Sequence, residues 1–142
     1  MNIRSAIILG SKTLNDKHIK NAYLDAEILM ACAIKKDRKF VILNPNENIN
    51  KENLIKFEKL IKNRSSRKPI AHLTKKKFFW NSEFYITNNV LIPRPDTELI
   101  VENAINLTKN KNKLNILDIG IGSGCILLSI LKHRKNFYGT GI

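Results

Sequence analysis

Asp118-Ile119-Gly120-Ile121-Gly122-Ser123-Gly124 decides the fold of the C-terminal part of this chain. An apolar run precedes it (Leu114, Ile116, Leu117), and a helical pattern follows it (Ile126, Leu127, Leu128, Ile130, Leu131). Strand, glycine turn and helix in that order make a cradle for a nucleotide or cofactor. Glycine lets the backbone approach a ligand closely, and the start of the helix offers N–H groups without partners. The pattern predicts strand 114–119, helix 123–133 and strand 137–142, one β-α-β unit with a parallel crossover. The same glycines would also suit a plain tight turn, where they only permit close packing.

Upstream of the loop, Asp96 stands where a side chain can cap a helix whose buried face is Leu99, Ile100, Ala104, Ile105 and Leu107, with Glu98 near its positive end. Before it, Leu91-Ile92-Pro93-Arg94-Pro95 is held extended by two prolines, which bar it from a central strand. Phe78-Phe79-Trp80 and Phe84-Tyr85-Ile86 flank Asn81-Ser82 and predict a β-hairpin. Residues 1–74 read as helices. The helical period runs through Leu24, Ile28, Leu29 and Ala33 in 21–34, with Asp25 and Glu27 in the first half. It recurs in Phe40–Leu43, which Asn44-Pro45 ends, and in Leu54, Phe57, Leu60 and Ile61 of 50–61. Pro69 opens a last short helix. Such helices are marginal alone, so their apolar faces must pack into a bundle.

The chain of 142 residues carries a net charge of +13. Its lysines are spread over every segment without interleaved aromatics, and arginine, the better reader of bases and phosphates, is scarce. Nucleic acid is therefore disfavoured as a partner, and the charge serves mainly solubility. No run approaches the ~20 apolar residues of a membrane span, and Ala6–Leu9 is too short for a signal-peptide core, so a cytoplasmic location is expected. Cys32 and Cys125 have no ligand-like spacing to His18, His72 or His133. They predict buried thiols, with no metal site and no disulfide.

Cys125 stands where a dinucleotide fingerprint wants glycine or alanine, and no Gly-Lys-Ser/Thr follows as a phosphate loop requires. A strand-terminal acid before G-x-G-x-G has the form common in S-adenosylmethionine-dependent methyltransferases. Pro69-Ile70-Ala71-His72-Leu73-Thr74, Phe79-Trp80 and Leu91-Ile92-Pro93-Arg94-Pro95-Asp96-Thr97-Glu98-Leu99 resemble the linker of the peptide chain release factor glutamine methyltransferases, the HemK/PrmC family. Leu24–Leu29 resembles that family's helical N-terminal domain. The resemblance runs from about residue 20 to residue 142, and the Ile-Pro-Arg-Pro-Asp-Thr-Glu stretch is its most specific part.

The resemblance implies an α plus α/β architecture. Residues 1–74 would be a helical bundle that recognises the release factor, 75–95 a hairpin and proline linker, and 96–142 the first β-α-β unit of a truncated Rossmann-like methyltransferase domain. It implies S-adenosylmethionine as cofactor and, as substrate, the glutamine side-chain amide of the GGQ motif in class 1 release factors. Asp118, Gly120, Gly122 and Gly124 would hold the cofactor. Pro93, Arg94, Pro95, Asp96 and Glu98 would border the substrate cleft, the three charged groups fixing it by hydrogen bonds.

Departures from the family pattern are as informative. Relatives carry tyrosine at position 72 and glycine at position 75, so His72 and Lys75 are expected to be tolerated surface changes. They also carry an acid, which takes the ribose hydroxyls, where Gly141 stands. Losing such bonds costs ~1.5–3 kcal/mol, or roughly ten- to a hundred-fold in affinity. The family's Asn-Pro-Pro-Tyr catalytic motif occurs nowhere in the sequence, so no catalytic residue is assigned and the chain alone is expected to be inactive. Further strands are expected from sequence beyond these residues or from a second polypeptide. Two other readings are a non-enzymatic helical binding module and a decaying remnant of such a gene. An adenine-N6 nucleic-acid methyltransferase would share the loop but not the proline linker.

Overall fold

The computed structural model describes residues 1–142. The chain divides into two compact units, Met1–Thr74 and Lys75–Ile142.

The first unit holds α1 (Ile3–Asn15), α2 (Ala22–Ile34), α3 (Arg38–Leu43), α4 (Lys51–Ser65) and α5 (Ile70–Thr74). Three of them begin on a short polar side chain that satisfies an orphan N–H. Asn2 accepts from Ser5 N at 2.9 Å, Asp37 from Phe40 N at 2.7 Å and Asn50 from Asn53 N at 2.8 Å. The bundle thus gains α1, for which the sequence pattern gives no separate boundary, and α4 runs four residues past the expected end at 61. On the exposed side of α4, Lys56 holds the Glu52 carboxyl below its ordinary value, chiefly through their hydrogen bond and then through its charge.

Helix α2 is the axis of this unit and packs against α1, α3, α4 and α5. Ala26, Leu29 and Met30 are wholly buried, as is Leu14 from α1. A helix covered on so many sides also buries its acids, and these are paired. Asp25 accepts from Arg64 Nε of α4 at 2.7 Å, and Glu27 meets Arg38 Nη2 of α3 at 2.7 Å. The two carboxylates therefore tie α2 to its neighbours rather than merely complementing its N-terminal dipole. Gly10 brings α1 onto α4, since a Cβ there would lie 2.7 Å from Phe57 Cζ.

The second unit begins with strands β1 (Lys76–Phe79) and β2 (Ser82–Tyr85), antiparallel with Phe79 opposite Ser82. That register puts Trp80-Asn81 in the turn, one residue earlier than expected, with Trp80 at φ +52°. A 3-10 turn, Pro95–Thr97, leads into α6 (Glu98–Leu107). Then come β3 (Asn115–Asp118), α7 (Cys125–His133) and β4 (Tyr138–Gly141), with β3 and β4 parallel. Phe79, Phe84, Ile86, Val101, Cys125 and Ile130 form the core of this unit.

Three expectations do not hold in the structure. Asp96 lies inside the 3-10 turn and caps nothing, because the turn postpones the start of α6 and puts Thr97 at the N-cap. The buried face of α6 centres on Val101, 0% exposed, with Ala104 and Ile105 beside it, so Leu99, Ile100 and Leu107 face outward. Cys125 is buried, but Cys32 only half so.

Several turns place non-glycine residues in the left-handed region, among them Lys35 (φ +56°), Arg67 (φ +64°) and Lys75 (φ +59°). Lys75 is exposed, as expected of a surface change, yet its backbone is one that costs an L-residue roughly 1–2 kcal/mol. Glycine at position 75 therefore has a physical reason. Lys75→Gly is expected to raise the stability of the chain by about 1 kcal/mol, after allowing for the greater freedom of glycine in the unfolded state. Urea unfolding checks this; an unchanged or lower midpoint would mean that the left-handed backbone carries no such penalty.

Candidate functional site

Asp118 ends β3, and the next six residues turn the chain into α7. Gly120, Gly122 and Gly124 have φ of +81°, +55° and +75°. All three lie where side chains are disfavoured, so the loop needs its glycines for conformation as well as for space. A Cβ on Gly120 would meet nothing within 4 Å, which leaves that side of the loop open to a visitor. Gly124 is the N-cap of α7 and supplies no side chain to its first turn, where partly positive N–H groups gather.

The loop is anchored to the end of β4. Gly120 N and Ile121 N donate to Ile142 O at 2.7 and 3.1 Å, while Ile142 N donates to Asp118 O at 3.0 Å. Asp118 is opposite Gly141 in the parallel register. Its Oδ2 atom is buried and has no hydrogen-bond partner. Such an atom is expensive to keep inside a fold, typically ~1–3 kcal/mol.

The proline segment is arranged differently from expectation. Pro93 is buried, while Arg94, Pro95 and Asp96 are exposed. Neither Arg94 nor Asp96 enters an ion pair, so they do not fix this wall by charged hydrogen bonds; its stiffness comes from the prolines. Glu98 is committed to the hairpin, its Oε1 accepting from Trp80 N at 2.7 Å. The same turn is held from α7: Trp80 Nε1 donates to His133 Nε2 at 2.7 Å, and Lys132 Nζ donates to Asn81 O at 3.0 Å and to Ser82 Oγ at 2.9 Å. Trp80, Lys132 and His133 thus position the segment that opens α6. No local pattern in the sequence reveals this, because the partners are some fifty residues apart.

The helical unit presents its own concavity, a groove of about 320 Å³ between α1 and α4. Leu9, Gly10, Leu54, Phe57 and Ile61 line it, and Glu58 and Lys62 stand among the polar residues there.

Residues 5–74 match the PrmC N-terminal domain family, spanning all five helices but the first residues of α1. The chain belongs to the PrmC family. It is 40% identical over 119 residues to the release factor glutamine methyltransferase of Buchnera aphidicola subsp. Baizongia pistaciae, covering 84% of this chain and 43% of that protein. It is 38% identical over 142 residues to the protein of that name from Buchnera aphidicola subsp. Schizaphis graminum, covering 100% of this chain and 50% of that protein. The protein of that name from Shewanella oneidensis is 33% identical over 123 residues. The PrmC likeness thus extends beyond the N-terminal domain through the proline segment and the glycine loop. The chain spans about half the length of the curated relatives it matches. No helix is long and apolar enough to cross a membrane.

Proposed function

We propose that the chain is part of an S-adenosylmethionine-dependent methyltransferase that modifies the glutamine amide of the GGQ motif in class 1 release factors. The observation that carries this reading is the Asp118–Gly124 cradle on a β-α-β unit, following a PrmC N-terminal domain in one chain. In this reading residues 96–142 begin the Rossmann-like catalytic domain, in the cytoplasm where release factors work.

When bound, S-adenosylmethionine supplies an electrophilic methyl group on a sulfonium. The residues suit its amino-acid end. The unpaired Asp118 Oδ2 offers a carboxylate to a cationic ligand, directly or through water, and the glycine backbone lets that ligand approach. They do not suit its sugar, because Gly141 offers no side-chain carboxylate for the ribose hydroxyls. Pro93–Glu98 forms a wall beside the target amide, with Glu98 holding that wall to the hairpin. Amide nitrogen is a poor nucleophile, so the reaction needs groups that orient and polarise the NH₂. None is assigned among these residues, and the Asn-Pro-Pro-Tyr motif is absent from them.

The test is methyl transfer to a purified class 1 release factor, read by mass on the GGQ peptide. The 142-residue chain alone is expected to leave the peptide unmodified. Joined to the C-terminal half of a PrmC relative, it is expected to add one methyl to the glutamine. A folded, joined protein that methylates DNA adenine and spares the release factor would instead favour the nucleic-acid reading.

A second reading is that the helical unit docks the release factor without catalysis. It is favoured by a core that the unit closes with its own helices. Capture of release factor by the intact 142-residue chain would support it, and no capture at micromolar concentrations would end it.

A further inference from the structure

We propose that Ile121 is a plug in its own loop, holding the space beside Asp118 that an adenosyl ligand needs, so that this side chain limits the affinity of the cradle. The proposal rests on the cofactor reading above and adds a residue to it.

The position of Ile121 is fixed by what surrounds it. A Cβ built on Gly141 would lie 1.9 Å from Ile121 Cδ1, 2.8 Å from Cγ1 and 3.0 Å from Cβ. A Cβ on Gly124 would lie 3.9 Å from the same Cδ1. The side chain therefore reaches from the loop across the end of β4, close to the start of α7. Gly141 is the register partner of Asp118, so the face that Ile121 covers is the face from which the Asp118 side chain leaves the sheet. The carboxylate oxygen there is buried without a partner. Ile121 thus lies on the sheet face where a polar ligand would supply that oxygen with a donor.

The backbone keeps the plug in place. Gly120 N and Ile121 N are both engaged by Ile142 O, which draws the loop onto β4. Isoleucine is branched at Cβ and restricted at χ1, so it does not swing aside as a linear chain would. A ligand must displace the side chain or move the loop, and either reduces apparent affinity by the fraction of time the open form exists.

The experiment uses the 142-residue chain and its I121A, G141A and I121A/G141A variants, measuring urea midpoints and calorimetric binding of S-adenosylhomocysteine. I121A is expected to bind about tenfold more tightly than the unmodified chain. G141A is expected to lower the midpoint, because its methyl meets Ile121. The double variant should recover most of that loss relative to I121A, making the two substitutions non-additive. Additive midpoints would overturn the plug itself. Binding by the chain that I121A leaves unchanged would overturn its role in affinity. Non-additive midpoints with no binding by any variant would overturn the cofactor reading, and with it the assignment of the ligand, while leaving the packing established.

Discussion

Asp25→Ala is expected to destabilise the helical unit by about 3 kcal/mol, the largest effect of any single polar substitution in it. Asp25 is 6% exposed and accepts from Arg64 Nε at 2.7 Å. Arg64 keeps only one other acceptor, Lys68 O, at 3.2 Å from Nη1. Without the carboxylate, a guanidinium whose side chain is 19% exposed stays charged and largely desolvated. Breaking a buried pair from one side costs roughly 3–5 kcal/mol, and the residual exposure of Arg64 places this case at the lower end. Asp25→Asn keeps the volume and loses the charge, so it should lose nearly as much. An Asp25→Leu/Arg64→Met double variant should recover most of the loss, since removing both charges leaves none stranded. Glu27→Ala makes the contrast, because its partner Arg38 is 49% exposed and water can take over; about 1 kcal/mol or less is expected. Urea unfolding followed by circular dichroism decides the matter. Equal losses for Asp25→Ala and Glu27→Ala would show that burial does not distinguish the two pairs.

These two ion pairs also show what a linear pattern holds and what it omits. The period of Leu24, Ile28, Leu29 and Ala33 placed α2 correctly, and Asp25 and Glu27 read naturally as dipole-complementing residues near its start. Their partners lie on α3 and α4, and nothing local couples position 25 to position 64. The family and the β-α-β unit were legible because both depend on short contiguous signals: a proline segment, an acid and three glycines. The end of α4 was less so: Arg67, just beyond it, takes a left-handed conformation that a reader expects of glycine, so punctuation normally visible was hidden.

Helix α6 failed for a related reason. Six of its ten residues are Leu, Ile, Val or Ala, so several faces fit a helical period, and Val101 was not the obvious centre. The 3-10 turn at Pro95–Thr97 postponed the start of α6, and two prolines followed by an aspartate read equally well as a simple cap. At the candidate site, the glycines marked a tight loop but not what packs into it. Ile121 appears in sequence as one variable position in G-x-G-x-G, and only its approach to Gly141 gives it a role.

Asp118→Asn should separate a binding acid from a structural one, with an effect opposite in sign to that of Asp25. Asp25 meets its arginine, whereas Asp118 Oδ2 is buried with no partner at all. An unsatisfied buried oxygen costs stability, more so when it carries charge, and an amide of the same shape lowers that burden. The substitution is therefore expected to leave stability unchanged or to raise it by about 1 kcal/mol. Its effect on ligand binding should be the reverse. If Asp118 receives a hydrogen bond from the cofactor, directly or through water, losing a charged acceptor costs ~1.5–3 kcal/mol, or about ten- to a hundred-fold in affinity for S-adenosylhomocysteine. The measurement is best made in the I121A background, where binding is expected to be tight enough for such a loss to be read by calorimetry. A stability gain together with weaker binding is the signature of a group held at an energetic disadvantage for the sake of its ligand. A stability loss like that of Asp25→Asn would instead make Asp118 part of the scaffold, and the glycine loop beside it a turn.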